Sequence, residues 1–497
     1  MGSIGLSRRE FLIATGAALP ALRLETLLRD PYAPAPWISA RPSLRIRGRV
    51  RAGGRGLARV GVTDGLQTVQ TAGDGSFELI TTTDREFVSV SLPAGYRIPV
   101  NPTGTARCYR PVPRGARGEF SAVFDLEPLK ESDERHVCFL LPDPQTQDAQ
   151  EVQWLKEQTV PDVRKTVGTL GGREVFGVTC GDIMFDHLEF FPGYEKAVAA
   201  TQVPFFQVIG NHDTDYSATT DERSSDTFCR YFGPRYYSFD RGAVHYVVLD
   251  DVFWDGSDYI GYLTGEQLQW LEGDLARIER GRTVIVMMHI PALGSSHVRN
   301  GRRSPEPDMA VMNREGLYRL LEPHRAHVLV GHTHETEHGF SHGVHEHVSG
   351  TVCGAWWSGP ICADGTPSGY SVYEVDGESV SWRYQATGHD PDYQLRVYPR
   401  GADPKAPDEI VANVWDWDPE WTVVWYEGGD RRGVMARRRG LDPLSVKLHT
   451  GPDLPPRRPW VEPYITDHLF YAPVPDGARD VRVEATDRFG RVYSAKL

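Results

Sequence analysis

Asp143, Gln145, Asp182, Asn211, His289, His332 and His334 are scattered along the chain, yet each falls just past the end of a short apolar run. Carboxylate, imidazole and amide-oxygen donors are what divalent metals bound for hydrolysis take, with positions left open for water and substrate. Two such ions about 3.5 to 4 Å apart can share one carboxylate, polarise a phosphate between them and activate water for attack. These residue types could therefore build a two-metal hydrolytic centre, provided the fold brings them together.

The elements that must do so are visible in the runs themselves: Val137 to Leu141, Val175 to Thr179, Phe205 to Ile209, Val284 to Met288 and Val328 to Val330. Their length, β-branched content and turn-like boundaries predict buried strands, and the segments between them hold helical patterns such as Glu266 to Ile278. Strands alternating with helices imply a largely parallel sheet in an α/β fold, and in open α/β sheets ligands bind beyond the carboxyl ends of the strands. Residues far apart in sequence would meet there.

The order Asp143-Pro144-Gln145, Gly181-Asp182, Gly210-Asn211-His212-Asp213, His289 and Gly331-His332-Thr333-His334 resembles the calcineurin-like metallophosphoesterase superfamily. The resemblance implies a four-layer αββα core. It also implies that Asp143, Asp182 and His334 hold one metal, that Asp182 is shared, and that Asn211, His289 and His332 complete the second. A hydroxide bridging the metals would attack phosphorus in line, His212 would protonate the leaving oxygen, and Asp213 would orient that imidazole. A general acid must lie within hydrogen-bond reach of the leaving group. Gln145 departs from the common Asp-x-His pattern: it offers only a neutral amide oxygen, directly or through water, which shifts the first site toward oxygen-preferring ions. The Asp-Pro-Gln variant looks like that of a branch containing active protein phosphatases. The metals are left open among manganese, iron, zinc and magnesium. The expected reaction is hydrolysis of a phosphate monoester on a small phosphorylated substrate. A phosphodiesterase with the same site is one alternative, and a degenerate metal-dependent binding protein is another, disfavoured because His212 and Asp213 serve catalysis.

Outside this set, the loop from Gly294 to Arg303 carries His297, Arg299, Arg302 and Arg303. Arg299 and Arg302 are candidate phosphate contacts, because guanidinium suits bidentate phosphate recognition, or else a solvated surface. Trp356, with Trp357 and Tyr370, either stacks on substrate or packs between sheets. Asp186 either orients a metal ligand or is a helix-start charge, and Asp250 and Asp251 either line the site or end a strand. His338, His342, His345 and His347 invite a third-metal reading, but their spacing matches no standard site. Trp415, Trp417 and Trp421 are read as structural at a domain seam. Of six cysteines, Cys138 and Cys180 read as small buried hydrophobes, while Cys353 and Cys362 flank a turn and either pair in an oxidising compartment or stay free.

The 497 residues suffice for about two to four domains. Residues 1–42 contain Ser7-Arg8-Arg9-Glu10-Phe11-Leu12 and a short apolar stretch, which resembles a twin-arginine export signal and predicts a periplasmic or secreted protein. Apart from a retained signal anchor, no transmembrane span is expected. Residues 43–127 read as a small antiparallel β-sandwich, 131–388 as the catalytic domain and 389–497 as a β-rich domain. The two flanking domains resemble those of exported bacterial phosphoesterases with this three-part layout. A formal net charge of -13 argues against a nucleic-acid scaffold, which would present a concentrated basic surface.

Overall fold

The computed structural model describes residues 43–497; the export signal expected in residues 1–42 lies outside the described residues. The central strands β1 (Arg135–Leu141), β2 (Glu174–Cys180) and β3 (Phe205–Val208) pair in parallel. A second sheet is built from β4 (Tyr237–Arg241), β5 (Val244–Val248), β6 (Thr283–Met287), β7 (Arg325–Val330), β8 (Glu337–Ser341) and β9 (Val344–Val348), in the order β4-β5-β6-β7-β9-β8. The chain then returns to the first sheet through β10 (Gly369–Asp376) and β11 (Ser379–Ala386), giving the order β3-β2-β1-β10-β11, with β10 antiparallel to β1.

Continuous apolar strands need cover on both faces, and alternation along each strand divides the cover between two cores. From β1, Cys138 and Leu140 join Phe176, Val178, Tyr246, Ile285 and Leu329 between the two sheets. Val137, Phe139 and Leu141 face outward onto Leu155, Val163, Phe191 and Tyr194 of the covering helices. The second sheet repeats the device, with Val284, Val286, Val328 and Val330 packed on Trp270, Leu271, Leu317 and Leu321 from helices Gly265–Leu275 and Arg314–Leu321. The four layers expected from the resemblance are thus present. The single sheet suggested by strand–helix alternation is two sheets, because three parallel strands precede the turn into β4 and the remaining ligand-bearing strands form their own layer.

Residues 43–126 form two four-stranded sheets. They are not wholly antiparallel as expected: Ser43–Ala52 and Gly118–Leu126 pair in parallel along their lengths. Strand alternation is the same for either direction of pairing, so the pattern could not distinguish them. This module meets one edge of each central sheet, through bridges from Thr105 to Phe205 on β3 and from Leu92 to Phe239 on β4. The C-terminal residues form two further four-stranded sheets, within which Trp415 and Trp421 are buried and Trp417 lies under the Arg437 guanidinium. Among the described residues no helix is long and apolar enough to cross a membrane. All six cysteines carry free thiols, so of the two alternatives for Cys353 and Cys362 the unpaired one holds. Both sulfurs lie against Thr351 instead, Cys362 Sγ accepting its backbone N–H at 3.4 Å and Cys353 Sγ lying 3.8 Å from its hydroxyl.

The contact between sheets is anchored by three stacked rings. Phe239 is parallel to Phe206 at 4.0 Å and to Tyr246 at 5.0 Å. Phe239→Ala removes the middle ring and opens a cavity, and is expected to lower unfolding free energy by about 3–5 kcal/mol, read from the midpoint of urea unfolding.

Candidate metal centre

The carboxyl ends of the two sheets meet, and each predicted ligand sits in the turn that leaves a strand. Asp143 and Gln145 follow β1, Asp182 follows β2, Asn211 follows β3, His289 follows β6, and His332 and His334 follow β7. The turns are abrupt. Asp143, Gln145, Asp182, His332 and His334 have φ of 47°, 40°, 45°, 71° and 53°, the left-handed region that side chains rarely adopt. Such strain persists where surrounding structure over-determines it, commonly at functional sites.

Glycines make the approach possible. A Cβ on Gly331 would lie 2.2 Å from Asp143 Oδ2, one on Gly210 2.0 Å from the Asp182 backbone nitrogen, and one on Gly181 2.1 Å from His289 Nδ1. The glycine before each ligand motif is therefore the space its neighbour's ligand occupies.

Around His289, donors for one cation converge. Its Nε2 lies 3.1 Å from Asn211 Oδ1, 3.2 Å from Asp182 Oδ1 and 3.1 Å from His332 Nδ1. The far nitrogen of each ring is spent on a backbone carbonyl, His289 Nδ1 on Cys180 and His332 Nε2 on Asp308, which leaves a lone pair on the near one. His334 follows the same rule: Nδ1 donates to Gly354 O at 2.6 Å, and Nε2 is buried, without a hydrogen-bond partner, 3.6 Å from Asp143 Oδ1. An orphaned buried nitrogen facing a buried carboxylate, beside a second cluster of converging acceptors, fits two cations. Asp143, Asp182 and His334 would hold one; Asp182, Asn211, His289 and His332 would hold the other.

A cation entering this centre would displace the protons that Asp143 and His289 hold, since the pKa values of both are raised. Burial drives the Asp143 carboxyl up to about 8. Burial also pushes Asp182 upward, but the neighbouring imidazoles of His289 and His212 outweigh it and hold that carboxyl well below the usual range. His289 is disfavoured as a cation by burial, yet the surrounding carboxylates, Asp182 foremost, raise it to about 10. Burial holds His332 down to about 3 and His334 to about 4. The pocket concentrates positive charge beside Asp182 while keeping two imidazoles neutral.

Gln145 reaches the shared carboxylate. Its amide nitrogen donates to Asp182 Oδ2 at 2.9 Å, and its oxygen faces the Cys353 thiol at 3.8 Å, so in this geometry it orients the shared carboxylate instead of offering a lone pair to the first cation.

The roles expected for Asp213 and Asp186 also change. Asp213 does not touch the His212 ring: its two oxygens accept backbone N–H groups from Ile183, Met184 and Gly210 at 2.9–3.0 Å, tying the loops after β2 and β3 together. The orienting carboxylate is Asp186, whose Oδ1 is 2.5 Å from His212 Nδ1 and also accepts the Tyr216 hydroxyl at 2.8 Å. Burial disfavours a charged His212, but Asp182 and Asp186 outweigh it and raise its pKa. Asp251 plays a part like that of Asp213, accepting the backbone N–H groups of His289 and Ile290.

Arg299 does not present a free guanidinium. Its guanidinium is buried in ion pairs with Glu335 and with Glu337 at 2.6 Å, carboxylates that the sequence alone did not place beside it. Arg302 is exposed, ion-paired with Glu306, and lines a cleft of about 560 Å³ with Pro291, Thr333 and Tyr464. Trp356 stacks on the His334 ring at 3.9 Å and touches Trp460, which is half exposed. Trp460 and the Arg458 guanidinium, over Phe185, come from the C-terminal segment and escaped the sequence reading, since nothing in their own neighbourhood marks them.

Three parts of one family description match the chain: the N terminal of calcineurin-like phosphoesterase over residues 44–129, calcineurin-like phosphoesterase over 145–336, and the C terminal of calcineurin-like phosphoesterase over 346–493. The chain belongs to the calcineurin-like phosphoesterases, a family that uses a dinuclear metal site. Serine/threonine-protein phosphatase CPPED1 of Pongo abelii is 31% identical over 151 residues, 28% of this chain and 45% of the relative. The Homo sapiens protein of that name is 30% identical over the same shares. Purple acid phosphatase 23 of Arabidopsis thaliana is 28% identical over 190 residues, 34% of this chain and 38% of its own. The chain thus spans less than half the length of these relatives. A dimetal phosphatase from Danio rerio superposes with a TM-score of 0.36 at 15% identity, over 50% of this chain and 96% of that one.

Gly331→Ala is expected to push Asp143 aside without unfolding the chain. Metal analysis after desalting should show retention weakened by about 10–100-fold, with circular dichroism unchanged.

Proposed function

We propose that this chain is a metal-dependent phosphatase that hydrolyses a phosphate monoester on a small molecule. The observation that carries the reading is the placement of His212 beside the shared carboxylate. Its backbone N–H donates to Asp182 Oδ1 at 2.9 Å while its ring is held by Asp186, so one residue ties the metal cluster to a proton donor. With Nδ1 engaged, Nε2 remains to give a proton to the leaving oxygen. When bound, the two ions supply Lewis acidity toward the phosphoryl oxygens and acidify water. Asn211, His289 and His332 would hold one ion, and Asp143 and His334 the other; the Tyr216 hydroxyl, 3.3 Å from His212 Nδ1, and the Phe185 ring, 4.5 Å from the His212 ring, restrict the movement of that ring. Trp356 and Trp460 form an aromatic wall next to His334, suited to an organic leaving group. The monoester reading is supported by the phosphatase names of the relatives. Export to the periplasm or beyond belongs to the same reading, supported by the Ser7 to Leu12 sequence.

Protein stripped of metal and reloaded with manganese, zinc, iron or magnesium should hydrolyse an aryl phosphate monoester in preference to a diester. A diester preference reassigns the reaction, and turnover of neither with any ion favours a binding protein. Asn211→Ala is expected to abolish turnover in that assay; full activity would break the ligand assignment.

His212→Ala should lower kcat by about 10²–10⁴-fold on alkyl phosphates and much less on p-nitrophenyl phosphate, whose leaving group needs little protonation. Asp186→Asn should share that leaving-group dependence. Asp213→Asn should lose stability and metal instead, without it.

A further inference from the structure

The histidines after His334 do not act as one group in the way their sequence proximity suggests. His342 leaves the cluster, exposed on the Tyr318 ring. His327, from β7, joins it. The register pairs His327 with His345 across β7 and β9, and His338 with His347 across β8 and β9. His345 and His347, two apart on β9, share the face that looks toward the first sheet, where Trp382 and Tyr373 pack against them. The rings of His345 and His347 stack at 3.8 Å. Each of His327, His345 and His347 brings one nitrogen into a set lying within 4.8 Å of one another.

We propose that His327, His345 and His347 form a further metal site, for a zinc-class divalent cation, with His338 as a fourth imidazole oriented by Asp416. This site goes beyond the phosphatase reading, and it is separate from the catalytic ligands, which lie past the carboxyl ends of the strands, whereas His327 lies within β7.

Four observations converge on it. His338 Nε2 meets Asp416 Oδ1 at 3.0 Å, which turns its Nδ1 toward His345 Nε2, also at 3.0 Å; a carboxylate behind an imidazole is the usual support for a metal-binding histidine. His327 Nδ1 and His347 Nε2 face each other at 3.0 Å. The remaining nitrogen of His347, a residue 1% exposed, is buried without a hydrogen-bond partner, so hydrogen bonding among the rings does not satisfy the cluster. Finally, burial foremost, with neighbouring imidazoles and Arg488 adding to it, keeps His345 and His347 far below the usual imidazole range, and burial holds His327 to about 4. Neutral imidazoles carry the lone pairs that a cation takes, and an all-imidazole set suits zinc, copper or nickel better than magnesium or calcium. The Arg488 guanidinium lies over Trp382 and Phe340 beside the cluster, but Asp418 at 2.7 Å balances its charge. Asp416 is left as the counter-charge for the ion. A cation here would tie β7, β8 and β9 to the C-terminal region that supplies Asp416.

Full-length protein, chelator-stripped, loaded with zinc and desalted, should retain one zinc ion per chain more than His345→Leu treated identically. Elemental analysis gives the count, and circular dichroism checks that both are folded. Equal zinc content in two folded proteins overturns the proposal. Should His345→Leu fail to fold, zinc-edge anomalous diffraction from zinc-loaded wild-type crystals decides. A peak enclosed by His327, His345 and His347 supports the site, and its absence there, with peaks at Asp182, overturns it.

Discussion

Buried carboxylates that accept backbone N–H groups from neighbouring loops are the constraint on which the centre depends. Asp213 gathers Ile183, Met184 and Gly210; Asp251 gathers His289 and Ile290; Asp143 accepts from His332; Glu346 accepts from Leu293 and Gly294. None of these partners is a side-chain cation. Each carboxylate is held by oriented peptide dipoles, which fix loop positions to hydrogen-bond tolerance without filling the site with a lysine or arginine that would compete with metal. Burial drives Asp213 up to about 7, Glu346 to about 7 and Asp251 to about 8, so the architecture concentrates costly groups where loop geometry matters most.

The second constraint is distance. Ligands from two different sheets must reach shared ions, so backbones at the seam approach more closely than side chains permit. Gly181, Gly210 and Gly331 supply that clearance, and left-handed turns at the ligands aim successive side chains into one volume. Packing between the sheets, centred on Phe206, Phe239 and Tyr246, holds the two halves at that separation.

Much of this was legible in the sequence because the signal is local. Strand runs are recognisable by their β-branched content, ligands by donor type at strand ends, and the glycines by their position before each motif. What was not legible is set by long-range register. The parallel partnership of Ser43–Ala52 with Gly118–Leu126 leaves no mark on either strand. Arg299 looked like a free loop cation because Glu335 and Glu337, which bury it, arrive from the far side of β7. Asp186 displaced Asp213 as the partner of His212 because a left-handed turn at φ 68° carries it back over the site, a path that spacing alone does not reveal. His327 stands alone in its strand, and only the pairing of β7 with β9 gives it company.

Trp356 has a consequence of a different kind. Its indole lies 3.9 Å from the His334 ring, nearly parallel at 16°, so its excited state is in contact with an imidazole whose electron density changes when a cation draws on Nε2. Were a cation bound there, this ring pair would act as an optical probe of occupancy. Emission from this indole would then respond to a cation at His334, separable from the other tryptophans by comparison with Trp356→Phe.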